Sequence, residues 1–148
     1  TKFPPITVDR VVQDDETIHV GPIAITAHLT PGHTPGCTSW STTVSEDNRP
    51  VNVLFLCSIT VAGNVLVHNR VYPEIATDFT KTFDKLGAMK ADVVLTSHPE
   101  MNDVLGREAR RRPGQPNPFI DSTALRTIVT QAREDFEKAL TGNIQPAG

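Results

Sequence analysis

Two Pro-Gly pairs four residues apart, Pro31-Gly32 and Pro35-Gly36, enclose one histidine, His33, in the stretch LTPGHTPGCTSW. Proline lacks a backbone donor and glycine favours sharp or left-handed bends, so neither helix nor strand runs through His33. The segment is a loop braced at both ends, and it leads directly into a strand-like run. An imidazole on such a loop loses little conformational entropy on meeting a metal, which is how a scaffold presents a ligand. A histidine in a Pro/Gly turn is more often an ordinary polar loop residue, so its assignment depends on the rest of the chain.

The 148 residues amount to one domain, large enough to bury a real core. Apolar residues make up 38% of them, near the globular norm once glycine is counted, and disorder is not expected. A formal net charge of −3 shows no basic surplus, which argues against a nucleic-acid surface. No apolar run approaches the roughly 20 residues that span a bilayer, so no membrane partner is expected. Cys37 and Cys57 lack CxxC spacing and read as two small buried apolar residues rather than a disulfide. The sequence starts at Thr1 with neither methionine nor a hydrophobic leader, so the compartment is not legible from the residues.

Alternation and turn residues predict short strands over Ile6–Val12, Thr17–Val20 and Ile23–Leu29, with turns at Asp14-Asp15 and Gly21-Pro22. In the third strand Ile23, Ile25, Ala27 and Leu29 share one face, and His28 points to the other; His28, His19 and His68 read as structural. Thr38–Val44 and Val51–Leu56 read as further strands joined by a polar hairpin loop, Ser45–Pro50. The second of these is apolar enough to be covered on both faces. It ends in Cys57-Ser58-Ile59-Thr60, small hydroxyl residues at a carboxyl edge of the sheet, where sites tend to be built. By themselves Ser58 and Thr60 read as loop caps.

A helix is predicted from about Glu74 to Met89, with Ile75, Phe79, Phe83 and Leu86 as its apolar stripe. Asp92–Thr96 is another buried strand, and it runs straight into Ser97-His98-Pro99-Glu100. Here a second strand delivers a histidine to a loop, and His98 matches His33 in its position relative to a strand end. Met101–Arg112, with Arg107, Arg110, Arg111 and Arg112, reads as a solvated basic face. Pro113–Pro118 is a loop, after which Asp121 or Ser122 caps a final helix to about Leu140 that Gly142 ends.

Read in order, TPGHTPGCTSW, VLFLCSITVAGN, YPEIATDFTKTFDKLGAMKADVVLTSHPE and NPFID resemble the carboxyl-terminal half of a subclass B3 metallo-beta-lactamase. The resemblance covers nearly the whole chain, residues 1–148, as half of a single domain. It implies an α/β (α+β) architecture: half of an αββα sandwich, with a mostly antiparallel or mixed sheet and flanking helices. It implies a zinc hydrolase of the beta-lactam ring with two zinc ions, His33 completing a three-histidine site and His98 giving the last ligand of the second site. Ser58 matches a serine that helps hold the substrate carboxylate or a zinc-bound water, and Thr60 a hydroxyl that assists it. Such zinc lowers the pKa of bound water to near 7 and polarises the lactam carbonyl. The same resemblance implies a periplasmic or secreted protein.

The family's HxHxDH motif is absent, and no His-x-His or Asp-His pair occurs anywhere in the sequence. One imidazole per zinc falls short of the three ligands of a catalytic site. The isolated chain is therefore expected to show little activity, and to need an amino-terminal half or a second copy against its bare sheet face. Two alternatives accompany the hydrolase reading: a non-catalytic, self-associating relative, and a metallo-hydrolase of other esters or lactones.

Overall fold

The computed structural model describes residues 4, 5 and 7–144. The strands are β1 (Thr17–Val20), β2 (Ile23–Leu29), β3 (Thr38–Glu46), β4 (Arg49–Leu56) and β5 (Val93–Thr96). The helices are α1 (Ile75–Ala88), α2 (Val104–Arg110) and α3 (Ala124–Ile144), and a 3-10 turn spans Pro99–Asn102. The strands form one sheet in the order β1-β2-β3-β4-β5, antiparallel except for the parallel β4–β5 pair. This mixed sheet with flanking helices is the half sandwich that the resemblance implies.

Turn chemistry sets the meander. β1 and β2 are joined by Gly21-Pro22, with Gly21 at φ 60°, where glycine is favoured. β3 and β4 are joined by only two residues, Asp47 and Asn48, at φ 49° and 61°. Asn and Asp tolerate this left-handed pair, which matches the twist of a tight hairpin. The polar loop expected over Ser45–Pro50 is thus mostly ladder, and β3 and β4 are each longer than periodicity suggested.

Alternation then sorts the side chains. Leu54, Leu56 and Val94 face α1 and α3 and join one core with Ile75, Phe79, Phe83, Leu86, Leu125, Ile128, Val129 and Phe136. Phe79, Phe83 and Phe136 pack as a trio with ring centroids 5.3 to 5.8 Å apart, a favourable geometry for aromatic contacts. The opposite face carries Val51, Val53 and Val93, with Leu95 and Phe119 against them. Strand register adds Trp40 and Ala27 to this second face, through the pairs Trp40↔Phe55 and Ala27↔Trp40. By alternation Ile23, Leu29, Val44 and Phe55 lie on it too, and all four are exposed large hydrophobics. Helices cover one face of the sheet, and the other leaves Ile23, Leu29, Val44 and Phe55 exposed around buried Ala27, Val51, Val53 and Val93.

Four expectations need correction. Residues 7–12 form no strand, because β1 has β2 as its one ladder partner; Ile6 lies outside the described residues. Cys37 and Cys57 form a disulfide, with Cα atoms 5.9 Å apart. The β3–β4 hairpin explains it: the register that pairs Trp40 with Phe55 brings the two ends of the ladder together. Arg107 is not solvated. Its side chain is 15% exposed and binds Asn102 O at 2.9 Å, Pro118 O at 2.7 Å and Asp121 Oδ2 at 3.0 Å. Gly142 lies inside α3 rather than ending it, since a helical glycine costs only about 1 kcal/mol. Asp121, one of the two capping candidates, accepts from Thr123 N at 3.0 Å, one residue before α3 begins. No described helix is long and apolar enough to cross a membrane.

Candidate metal centre

The loop around His33 is fixed from several sides. Thr30 N donates to Cys37 O at 2.9 Å, closing its base. Thr82 of α1 donates to Pro31 O at 2.7 Å. Gly32, at φ 137°, lies directly on Phe79, where a Cβ would approach Cδ1 to 2.7 Å. The disulfide joins this loop, through Cys37, to the end of β4 just before Ser58. The two Pro-Gly turns thus serve as an anchored platform.

On that platform the ring of His33 is oriented by its neighbours. Its Nδ1 lies 2.8 Å from Thr60 O. A carbonyl only accepts, so Nδ1 carries the proton and Nε2 keeps its lone pair for a ligand. Asn64 donates to His33 O at 3.2 Å and holds the backbone as well. Ser58 is buried, with its Oγ 3.1 Å from Thr60 Oγ1, and Thr60 is half-buried. These hydroxyls and the His33 ring form one connected group.

His98 reaches the same rim from β5. Because β4 and β5 are parallel with Leu56↔Thr96 in register, Ser58 and His98 leave the sheet at one edge. Thr96 Oγ1 donates to His98 O at 2.7 Å and Met101 N to the same oxygen at 3.0 Å, which fixes the turn. The His98 side chain is 47% exposed, with Nδ1 3.9 Å from Glu100 Oε1. The His33 and His98 rings stand 6.5 Å apart between centroids, their planes at 73°. All four sequence-selected residues, His33, Ser58, Thr60 and His98, therefore meet at one edge. The positioning roles of Asn64 and Thr82 were not legible, because each acts on a backbone carbonyl distant in sequence.

No protein-family model matches the sequence. Among solved structures, BJP-1, a subclass B3 metallo-beta-lactamase of Bradyrhizobium japonicum, is 45% identical, with a TM-score of 0.91 over 95% of this chain and 53% of that one. FEZ-1 from Legionella gormanii is 37% identical, with a TM-score of 0.90 over 95% of this chain and 54% of its own. A metallo-beta-lactamase of Cronobacter sakazakii is 36% identical, with a TM-score of 0.87 over 97% and 54%. The chain corresponds to the carboxyl-terminal half of a subclass B3 metallo-beta-lactamase. It spans about half the length of the metallo-beta-lactamases it matches.

Zinc suits the donors offered here in kind but not in number. Two imidazoles at one rim are good zinc ligands, whereas a catalytic zinc takes three protein ligands. Among the described residues no group of three or more His, Cys, Asp or Glu side chains could hold a metal ion. The donors present thus fall short of a complete catalytic zinc site.

Proposed function

We propose that the chain supplies the carboxyl-terminal half of a single metallo-beta-lactamase-fold domain that hydrolyses the beta-lactam ring, with zinc as its cofactor. The observation behind this is the convergence of His33 and His98 on one rim, 6.5 Å apart between ring centroids. Each imidazole contributes one ligand to one of two zinc ions, and the other ligands come from a half that packs on the open sheet face. Ser58 and Thr60 act on the substrate side, orienting the antibiotic's carboxylate or a water beside it. The Cys37–Cys57 disulfide fits a periplasmic or secreted setting, since such bonds persist in oxidising compartments.

Nitrocefin turnover tests this role. The chain alone with added zinc should give none, whereas mixing it with a separately produced amino-terminal half of BJP-1 should restore turnover that EDTA abolishes. A mixture that associates and holds zinc yet leaves nitrocefin intact would contradict it.

One observation favours a second reading, a non-catalytic module that pairs with its own copy. Ile23, Val44 and Phe55 are 55%, 46% and 45% exposed on the uncovered face, and exposed apolar patches drive association. Light scattering separates the two: a dimer that excludes the amino-terminal half supports self-association, and a monomer rules it out.

A further inference from the structure

Apart from the residues of the His33–His98 rim, three side chains from separate segments meet in a line. Asp15 Oδ1 lies 2.8 Å from His28 Nδ1, and His28 Nε2 lies 2.8 Å from Ser41 Oγ. We propose that Asp15, His28 and Ser41 form a second, metal-independent site, in which Ser41 is a nucleophile toward small activated carboxylic esters.

Strand register builds the arrangement. Thr26 pairs with Ser41 and His28 with Ser39, so His28 and Ser41 are diagonal neighbours on one face of an antiparallel ladder, within reach of a ring. Asp15 is carried in by the turn before β1. Its N–H donates to Ala27 O at 2.8 Å, and Ala27 N–H returns a bond to Glu16 O at 2.8 Å, so the turn is clamped to β2. Lys85 of α1 pairs with Asp14 and, at 3.1 Å, with Asp15.

The protonation pattern follows from these contacts. The hydrogen bond to His28, and then that to Lys85, hold the Asp15 carboxyl below its usual range, so it is ionised at neutral pH. An ionised carboxylate only accepts, so His28 Nδ1 carries the proton, and in the neutral ring Nε2 accepts from the Ser41 hydroxyl. That is the order of donors and acceptors a serine nucleophile needs. Ser41 and His28 also line a groove of about 760 Å³, with Leu54 and Met89 as apolar walls and Asn52 and Lys90 among its polar groups. Asn52 Oδ1 accepts from Thr43 Oγ1 at 3.0 Å, and in this proposal its amide N–H groups are the donors offered to the developing oxyanion.

In the reaction Ser41 Oγ attacks the ester carbonyl carbon as its proton passes to His28 Nε2. The bond from that carbon to the leaving oxygen breaks, and His28 returns the proton to it, so an alcohol departs and an acyl-serine stays. Water then attacks the acyl carbon, giving its proton to His28. The bond to Ser41 Oγ breaks, the serine is reprotonated, and the carboxylic acid is released. No oxidant, reductant or metal enters.

The test incubates the 148-residue chain with a fluorophosphonate probe in EDTA and maps the label by peptide mass spectrometry. Label on Ser41 is expected in the native chain and not in urea. It should slow by roughly 100-fold, the scale of general-base assistance, in Asp15→Asn and His28→Gln variants that keep the native circular dichroism spectrum. The proposal is overturned by no label on Ser41, by labelling that persists unchanged in urea, or by equal rates in folded relay variants. Since EDTA is present throughout, the outcome is independent of the zinc role proposed for His33 and His98.

Discussion

Gly32 and Phe79 meet so closely that no side chain fits between them: a Cβ on Gly32 would stand 2.7 Å from Phe79 Cδ1, and the backbone there has φ 137°. The ring belongs to the aromatic trio that joins α1 to α3. The glycine precedes His33 directly, so the position of that imidazole is referred to the hydrophobic core.

Gly32→Ala therefore meets a strained φ and a steric clash together. We expect a loss of about 2–4 kcal/mol, measured by urea denaturation. Gly36→Ala serves as the control, since a Cβ there meets nothing within 4 Å.

The Cys37–Cys57 bond ties the His33 loop to the Ser58 loop across a separation of 20 residues. Replacing both cysteines by serine should cost about 2–4 kcal/mol. A thermal melt should show the same loss in wild-type chain treated with a reductant, and no further loss on adding reductant to the double variant.

Arg107 joins Asn102, Pro118 and Asp121 across the loops beyond β5. Arg107→Ala strands the acceptors of buried Asn102 and leaves half-buried Asp121 without its cation, an effect of about 1–2 kcal/mol. Arg111→Ala lies nearby with a side chain 60% exposed and should fall within about 0.5 kcal/mol of wild type.

Asp121 gives the fold a signature in acid. Hydrogen bonding from Thr123, then from Arg107, lowers its carboxyl from 3.8 to about 2. The folded chain thus binds fewer protons than the unfolded one between those values, and stability rises with pH across that window. This contribution is complete above the unfolded value and is lost as pH falls toward about 2. Asp121→Asn should flatten the slope of urea stability between pH 4 and 2, and an unchanged slope would refute the assignment.

Much of the fold was legible because it rests on local chemistry. The alternation of β2, the stripe of Ile75, Phe79, Phe83 and Leu86, and the two strand-to-histidine loops each follow from short-range spacing, and the structure brings His33 and His98 to one edge. What stayed hidden depended on pairing at a distance. The disulfide becomes visible only once the Asp47-Asn48 turn sets the hairpin register, which brings residues 37 and 57 together. Arg107 looked solvated because its three acceptors lie on other segments, and the hydrogen-bond partners of His28, Asp15 and Ser41, were hidden because they join it only through sheet register and a clamped turn. Residues 7–12 had strand-like composition but pair with no strand of the described sheet.

The most direct test of the metal role is a zinc count after dialysis, made on the chain alone and on the chain with the amino-terminal half of BJP-1. The chain alone should retain less than one zinc. The pair should hold two, and His33→Ala and His98→Ala should each reduce that number by one. Two tightly held zinc ions in the chain alone, or a full complement unaffected by either substitution, would contradict the account.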